Sequence, residues 1–243
     1  PLGSRGLGDV YKRQGLDDVS SVLRGEMPGV VQVPMNGATY MADLEGGQKT
    51  GLFYDQRPNH AFVAQVSRGR SVLDVFSHVG GFALAALAAG AESALAVDGS
   101  QPALDLALTG AEASAVGDRF ETRKGDAFDM LSALVGEART FGSVICDPPA
   151  FAPSKSALEA GMRAYEKVAR QSAALVEPGG FLTLCSCSQA AQIQAFRSAC
   201  LRGIGRAGRQ AQLLRTGFAG PDHPIHPALE ESGYLKALTF RLL

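Results

Sequence analysis

Short apolar runs alternate with helical periodicity along the chain from residue 71 onwards. The runs cover residues 72–76, 94–97, 120–122, 143–146 and 181–185. Apolar positions with helical spacing fall near residues 81–89, 101–114, 126–135, 156–176 and 190–203. This alternation predicts a doubly wound α/β fold, in which a mostly parallel sheet is covered by helices on both faces. A last strand is predicted over residues 234–242, after a long polar connection.

The chain before residue 57 has a different pattern, with a period of about two. Its alternating apolar positions are Val31, Val33, Ala38, Tyr40, Ala42, Leu52 and Tyr54. Asn36-Gly37 and Gly46-Gly47 interrupt the alternation, and such pairs are typical of turns. Residues 57–67 predict a short helix. We therefore expect a short β-rich N-terminal segment over residues 15–56, followed by the main domain over residues 57–243.

Composition agrees with one large globular domain. The chain has 243 residues, of which 46% are hydrophobic and 19% charged, enough to form a full core. No apolar run approaches the roughly 18 residues of a membrane span, and no secretory leader is predicted before residue 30. Only four cysteines occur, at positions 146, 185, 187 and 200. Because so few cysteines do not form a disulfide framework, we expect a reducing, cytoplasmic setting.

The first fourteen residues are treated as an artefact. Residues 1–4 read as a protease-cleaved tag, and residues 5–14 as the translation of a sequencing adapter. Without them the chain has 20 basic and 23 acidic residues, a net charge of −3. This balance excludes a domain that is basic overall, so any surface for nucleic acid is expected to be local or to lie in a preceding segment.

Candidate chemistry lies in the loops after the strands, because ligands bind beyond the carboxyl ends of strands in doubly wound sheets. The first loop reads Asp74-Val75-Phe76-Ser77-His78-Val79-Gly80-Gly81-Phe82. Its glycine pair allows a ligand to approach the backbone at a helix N-terminus, although a tight turn is the alternative. It is not the dinucleotide fingerprint, because the first glycine of that motif is absent.

Two carboxylates end the next two strands. Asp98 follows Asp74 by about 24 residues, a spacing at which an acidic residue accepts hydrogen bonds from a ribose diol in nucleotide-binding folds. Asp126 follows the third strand and is placed to accept from an adenine amino group. The same residue also suits the N-cap of the helix that starts near residue 127.

The most specific signal is Asp147-Pro148-Pro149-Ala150-Phe151, after the fourth strand. Two prolines fix the backbone and exclude a central strand. The stretch presents a carboxylate, carbonyl groups and an aromatic ring, which suit the edge and face of a planar base. A plain proline-rich turn is the alternative.

The fifth strand carries two cysteines, Cys185 and Cys187, on one face by alternation. Cys187 lies nearer the carboxyl end of the strand, where a nucleophile would be needed. A cysteine in a strand is otherwise most often a small buried hydrophobe.

Together these segments resemble a family of enzymes. The resembling stretches are Gly47-Gln48-Lys49-Thr50-Gly51, Asp55-Gln56-Arg57, the turn 76–82, residues 147–155, Cys185-Ser186-Cys187-Ser188, Gly220-Pro221-Asp222-His223-Pro224 and Tyr234-Leu235-Lys236. In this order they are similar to large-subunit ribosomal RNA methyltransferases that form 5-methylcytosine in 23S RNA, and to relatives that form 7-methylguanosine.

The resemblance implies a Rossmann-like class I methyltransferase fold with a seven-stranded sheet whose last strand is antiparallel. It also implies S-adenosyl-L-methionine as cofactor and S-adenosyl-L-homocysteine as product. In the predicted cofactor site, Lys49, Thr50 and Gly51 contact the methionine end, Asp98 the ribose and Asp126 the adenine. The other residues predicted there are Asp74, Phe76, Ser77, Gly80, Gly81 and Asp147.

On the substrate side, the resemblance implies that Cys187 is the nucleophile, with Asp147 bonded to the edge of the base. Its further predicted RNA contacts are Pro148, Pro149, Phe151, Lys155 and His223. The cytosine-modifying members usually carry an N-terminal RNA-binding PUA module, which we expect this chain to lack. Lys236 and basic residues between 155 and 170 are expected to offer local contacts to RNA.

Other functions remain open at this point. Methyl transfer to guanine N7 or to an exocyclic amine needs no cysteine, and a truncated S-adenosylmethionine-binding protein without activity would show the same cofactor motifs. We expect RNA as the partner, a monomer or homodimer, and no membrane association. No metal is expected, because His60, His78, His223 and His226 lack ligand spacing.

Overall fold

The computed structural model describes residues 24–26, 29–47 and 51–243. Strands β1 (Val30–Met35) and β2 (Ala38–Asp43) form an antiparallel hairpin. Its turn residues Asn36 and Gly37 both have positive φ, at 53° and 80°, as in the turns that match the twist of two-residue hairpins. The predicted strands and turn are confirmed here. The strand predicted from the alternation of Leu52 and Tyr54 was wrong. Leu52 lies in a bend, and Tyr54 begins a 3-10 helix, Tyr54–Gln56.

A seven-stranded sheet forms the centre of the described part of the chain. Its strands are β3 (Ser71–Val75), β4 (Ser93–Asp98), β5 (Phe120–Lys124), β6 (Phe141–Cys146), β7 (Val176–Ser186), β8 (Ala211–Gly217) and β9 (Lys236–Leu242). They lie in the order β5-β4-β3-β6-β7-β9-β8. Strands β3 to β7 pair in parallel, whereas β9 runs antiparallel to both β7 and β8. The predicted fold class and the antiparallel last strand are confirmed.

Six helices of the described residues connect or flank these strands. They are α1 (Arg57–Val66), α2 (Gly81–Ala88), α3 (Gln101–Ala113), α4 (Ala127–Gly136), α5 (Leu158–Ala173) and α6 (Ile193–Arg206). The local sequence explains where two of these helices begin. A proline stands in the first turns of α1 and α3, and the Ser100 side chain caps α3 by accepting from the Ala103 N–H. No described helix is long and apolar enough to cross a membrane.

The sheet order sets the position of the site. The chain runs outward from β3 to β4 and β5, then returns to β6 on the other side of β3. This reversal is a topological switch point, beyond which ligands bind in open α/β sheets. The loops that follow β3 and β6 therefore face each other across one crevice. These are the Gly80-Gly81 loop and the Asp147-Pro148-Pro149 loop.

Strand β8 was not predicted, and its surroundings explain why. It lies at the edge of the sheet, and most of its residues are exposed or half-buried. Leu213 and Leu214, successive residues, are 38% and 47% exposed, and the pairing register shifts between Leu213 and Arg215. A shift of this kind breaks the period-two pattern on which strand prediction depends.

The hairpin shares a hydrophobic core with the main sheet. Tyr40 of β2 is fully buried, and its hydroxyl donates to the Gly81 carbonyl oxygen at 3.0 Å. Ala38, Ala42 and Leu52 belong to the same buried cluster as α2 and α3. The hairpin therefore supports the loop after β3. The division of the chain at residue 56 stays a prediction, and the proposed artefact, residues 1–14, lies outside the described residues.

Candidate active site

One cavity of about 580 Å³ lies at the carboxyl ends of the central strands. Its size falls within the roughly 300–1,000 Å³ of small-molecule sites. The sequence-predicted residues in its wall are Phe76, Ser77, Gly81, Asp98, Asp147, Pro148, Pro149 and Cys187. Residues from the hairpin and from the stretch before α1 complete the wall. The fold thus brings together residues that are up to 200 positions apart in the sequence, from Met35 to Leu235.

The loop after β3 holds an unusual backbone conformation. Phe76 and His78 have positive φ of 63° and 50°, and Gly80 follows with 79°. Non-glycine residues in this region each cost of the order of 1–3 kcal/mol, and such strain clusters at ligand sites. Gly81 has a separate reason to be glycine, because a Cβ atom there would lie 2.9 Å from the ring of buried His60. The turn therefore requires both its glycines for geometric reasons.

Asp98 ties this loop to the next one. Its Oδ2 accepts from the His78 N–H and its Oδ1 from the Ser100 N–H, both at 2.8 Å. Each carboxylate oxygen has two lone pairs, so both keep acceptor capacity for a ligand. The carboxylate is thereby fixed in the cavity wall and remains able to bind two hydroxyl groups.

Asp74 lies beneath the same loop and not in the cavity wall. It is fully buried, and its Oδ2 accepts from the Ala83 N–H near the start of α2 at 3.0 Å. Its Oδ1 is buried without a hydrogen-bond partner among the described residues. Burial, with a contribution from the negative charges of Asp147 and Asp98, raises the pKa of Asp74 to about 7, although the hydrogen bond from the Ala83 N–H opposes the shift.

A chain of amide groups holds Asp147. The Gln56 amide donates to Asp147 Oδ2 at 2.8 Å, and Gln56 in turn accepts from the Asn59 amide at 2.7 Å. The pKa of Asp147 is raised to about 7, chiefly by burial and to a lesser extent by the charge of Asp55, although the Gln56 hydrogen bond lowers it. The half-buried carboxyl group of Asp147 can therefore exist in both protonation states near neutral pH.

Asp55 is a further carboxylate in the cavity wall, and no role was predicted for it from the sequence. Its Oδ2 accepts from the Tyr234 hydroxyl at 2.5 Å, whereas Oδ1 is buried and makes no hydrogen bond to any residue in the described ranges. Asp55, Gln56 and Asn59 come from a 3-10 helix and the start of α1. Short segments of this kind have no periodicity that marks a buried polar residue, and only the resemblance at Asp55-Gln56-Arg57 pointed to them.

Surroundings distinguish Cys187 from the other cysteines. Cys146, Cys185 and Cys200 are buried, and burial raises the pKa of all three, to about 12 for Cys146 and well above the usual range for Cys185. Cys187 is half-buried in the cavity wall, with its Sγ 4.0 Å from the Pro148 carbonyl oxygen. It is thus the cysteine of the described residues that a ligand in the cavity can reach.

Buried hydroxyl groups fix the turn around Cys187. Ser186 donates to the Tyr165 hydroxyl at 2.8 Å, and that hydroxyl lies 2.7 Å from Ser188 Oγ. Ser188 Oγ also accepts from the Ala152 N–H at 2.9 Å. The end of β7 is therefore joined to the loop that starts at Asp147.

Several predicted site residues lie away from the cavity wall. They are Gly51, Asp74, Gly80, Asp126, Phe151, Lys155 and His223. Asp126 caps α4, accepting from the N–H groups of Phe128 and Asp129 at 2.9 and 3.2 Å, which confirms its N-cap interpretation. Gly51 follows the hairpin and has a positive φ of 87°. Lys49 and Thr50 lie outside the described residues.

The residues predicted to contact the substrate lie in different surroundings. Phe151 packs against Tyr165 at 5.0 Å between ring centroids, and at about 6 Å from Phe76 and Phe128, in an aromatic cluster behind the wall. Lys155 is exposed, and His223 pairs with Asp222. The expectation of a surface RNA contact at Lys236 was wrong. Lys236 is buried, and its Nζ donates to two backbone carbonyl groups, so it is not available to RNA at the surface.

Comparison with known proteins gives a consistent result. A family model for S-adenosylmethionine-dependent methyltransferases matches residues 4–241. The protein named ribosomal RNA large subunit methyltransferase I is 33% identical over 235 residues in Pseudoalteromonas atlantica and 36% identical over 235 residues in Aeromonas salmonicida. Each alignment covers 96% of this chain. The chain spans about 60% of the length of these relatives.

Solved structures are similar as well. A Streptococcus mutans protein assigned as a methyltransferase that depends on S-adenosylmethionine superposes with a TM-score of 0.80 at 25% identity, over 90% of this chain and 57% of that one. A methyltransferase crystallised with S-adenosylhomocysteine gives a TM-score of 0.81 at 25% identity, over 90% of this chain and 58% of that one.

Proposed function

The chain belongs to the family of S-adenosylmethionine-dependent methyltransferases, and we propose on that premise that it methylates carbon 5 of a cytosine in large-subunit ribosomal RNA. The single observation that carries the proposal is the position of Cys187. It lies in the wall of the same cavity as Asp98 and Asp147, whereas the other three cysteines are buried. A thiol in this position suits covalent attack on a pyrimidine held beside the methyl donor.

The cavity residues fit S-adenosylmethionine. Asp98 has acceptor capacity for the two ribose hydroxyls, and Phe76, Ser77 and Gly81 of the strained turn line the cavity with it. At the other end, the buried Oδ1 of Asp55 is an acceptor suited to a ligand's ammonium group. When bound, S-adenosylmethionine supplies an electrophilic methyl group on a positively charged sulfur.

Asp147 is proposed to hold the cytosine. Its carboxyl group, with a pKa of about 7, can donate to N3 or accept from the exocyclic amino group. A proton shared with N3 draws electrons from carbon 6, which makes carbon 6 easier to attack. Pro148 and Pro149 hold the Asp147 carboxyl group in the cavity wall, because their rings restrict the backbone that follows Asp147.

Cys187 is proposed to perform the covalent step. Its thiolate adds to carbon 6, and the electrons of the ring double bond make carbon 5 nucleophilic. After carbon 5 has received the methyl group, a base removes its proton, the electrons of that bond restore the ring double bond, and the carbon–sulfur bond breaks to release the thiolate. A free cysteine has a pKa of about 8.5, so the site must favour the thiolate at neutral pH.

RNA is proposed as the substrate because the relatives from Pseudoalteromonas atlantica and Aeromonas salmonicida are named for large-subunit ribosomal RNA. The cavity wall also offers an edge-binding carboxyl group next to Pro149, which is exposed. An opening of this kind suits a base that has been turned out of its stack.

Nucleoside analysis tests this proposal. Large-subunit ribosomal RNA without the modification would be incubated with the protein and S-adenosylmethionine, digested and analysed by mass spectrometry. We expect 5-methylcytidine with the wild type and none with Cys187→Ala. Formation of 7-methylguanosine or of an N-methylated base would contradict the assignment of carbon 5.

A further inference from the structure

Lys236 is a buried lysine beside the turn that carries Cys187. It is 4% exposed, and its Nζ donates to the carbonyl oxygens of Ser188 at 2.7 Å and Ala191 at 2.9 Å. Lys236 is also the first residue of β9, where it pairs with Ser186 of β7. The backbone of Lys236 thus pairs with the residue before Cys187, and its side chain donates a hydrogen bond to the residue after Cys187.

A buried lysine needs a physical reason, because a charged group loses solvation energy when it leaves water. Two carbonyl oxygens compensate part of this loss and favour the charged ammonium form, since they accept hydrogen bonds and cannot donate them. A hydrophobic residue would fill the same space without this cost. The two carbonyl groups therefore fit a donor at this position that can also carry a positive charge.

We propose that Lys236 is a positioning residue for the nucleophile, and that its ammonium group supplies the positive charge that favours the Cys187 thiolate. This inference rests on the proposed function, in which Cys187 attacks the base. Lys236 itself touches neither base nor methyl donor in this proposal. It acts through the turn 186–188 and through its charge.

The groups around Cys187 support this role. The titratable groups that face Cys187 are Tyr165, Tyr234 and Lys236, together with Asp55 and Asp147 across the cavity. Burial raises the pKa of Tyr165 to about 12 and also raises that of Tyr234, so both hydroxyls are neutral at pH 7. The two carboxyl groups disfavour a thiolate when charged. Lys236 is the member of this set that favours it.

The interaction is reciprocal. Burial lowers the pKa of Lys236, and the neighbouring Cys187 thiolate raises it. By the same electrostatic coupling, the ammonium group stabilises the thiolate by as much as the thiolate stabilises the ammonium group. The proton that leaves Cys187 passes to solvent, and Lys236 keeps its own.

Thiol alkylation tests the inference without RNA or cofactor. Iodoacetamide reacts with the thiolate, forming a carbon–sulfur bond and releasing iodide. Its rate at Cys187 would be followed by peptide mass spectrometry from pH 5 to pH 10. Cys146, Cys185 and Cys200 are buried and serve as internal controls for folding, because they react only when the chain opens.

Three variants separate charge from hydrogen bonding. Lys236→Arg keeps both, Lys236→Gln keeps a donor without the charge, and Lys236→Met keeps neither. We expect Lys236→Gln and Lys236→Met to slow Cys187 alkylation at pH 7 about ten-fold and to move the midpoint upward by about one pH unit. Lys236→Arg should stay within about two-fold of the wild type.

The outcomes are distinct. If the Lys236→Gln protein keeps its melting temperature and its Cys187 profile coincides with the wild type, the charge has no role and the inference is wrong. If Lys236→Met does not fold, Lys236→Gln decides the question alone. A failure of the proposed function gives a different result, since Cys187→Ala would then still methylate RNA whatever the alkylation profiles show.

Discussion

Single residues acquire their chemistry here from burial and from one or two hydrogen-bond partners. Asp74, Asp98, Asp126 and Asp147 are the same residue type at four strand ends, yet Asp126 caps a helix, Asp98 joins two loops, and Asp74 and Asp147 have raised pKa values. Sequence spacing identified all four positions. Spacing could not predict which of the four would have a raised pKa, because burial and hydrogen bonding depend on residues from distant segments, such as Gln56 beside Asp147.

Removal of the Asp98 carboxylate should weaken cofactor binding. Asp98→Ala loses the proposed bonds to the ribose and releases the His78 N–H, which Asp98 holds at 2.8 Å. An unsatisfied buried partner costs about 1–3 kcal/mol, so affinity for S-adenosylmethionine should fall roughly ten- to a hundred-fold. Isothermal calorimetry measures this, with Asp105→Ala as control, since Asp105 is exposed on α3. Equal affinities for Asp98→Ala and wild type would remove Asp98 from the site.

The raised pKa of Asp74 predicts a dependence of stability on pH. The folded state holds the proton up to a pKa of about 7, whereas the unfolded chain releases it near 3.8. The free energy of unfolding that Asp74 contributes is therefore complete below pH 4 and is lost as the pH rises to about 7. Asp74→Asn removes this loss. The stability of the variant relative to wild type should therefore be greater at pH 7.5 than at pH 5, by about 2–3 kcal/mol. Urea unfolding at both pH values would show this, and an equal difference at both would contradict it.

At the scale of elements, burial decided what the sequence could predict. Strands β3, β4, β6 and the second half of β7 are buried on both faces and stand out as apolar runs. The exposed edge strand β8 and the 3-10 helix Tyr54–Gln56 have no such signal. The packing of the hairpin on α2 and α3 could not be predicted either, because it depends on contacts between segments such as Tyr40 and Gly81.

The start of α2 should not tolerate a side chain. Gly81→Ala would place a Cβ atom 2.9 Å from the His60 ring, which is buried against Phe82. Overpacking of this kind costs typically about 1–3 kcal/mol, and a shift of the turn should also weaken S-adenosylmethionine binding. Gly136→Ala is the matched control, because it ends α4 with no atom within 4 Å of the added Cβ. Thermal unfolding would compare them, and equal melting temperatures for the two variants would refute the proposed close contact.

At the scale of the whole molecule, the fold could be predicted from the alternation of apolar runs and helices. The substrate could not be predicted from this alternation. The formal net charge is −1, and the chain spans about 60% of the length of its curated relatives. On the proposed function, any contact that this chain itself makes with RNA is expected to come from a local basic surface. Exposed basic residues that follow the Asp147-Pro148-Pro149 loop in the chain include Lys155 and, on α5, Arg163.

We expect weak RNA binding by this chain that depends strongly on salt. A few phosphate contacts give an affinity that falls steeply between 50 and 200 mM salt, as counterions are released. Fluorescence anisotropy with a labelled RNA would measure the slope, which the double variant Lys155→Ala/Arg163→Ala should reduce. Arg68→Ala is the control, because exposed Arg68 precedes β3 and so lies on the amino-terminal side of the strands, opposite the cavity at their carboxyl ends. Tight binding at high salt would refute the expectation.

The most direct test of the central claim is a covalent complex with RNA that contains 5-fluorocytidine. Its fluorine cannot be eliminated from carbon 5, so the bond between carbon 6 and the attacking sulfur persists. With S-adenosylmethionine present, the wild type and Cys185→Ala should form an adduct that denaturing electrophoresis resolves, and digestion should locate it at Cys187. Cys187→Ala should form none. An adduct in Cys187→Ala, or methylation of unmodified RNA by that variant at the wild-type rate, would contradict covalent catalysis by Cys187.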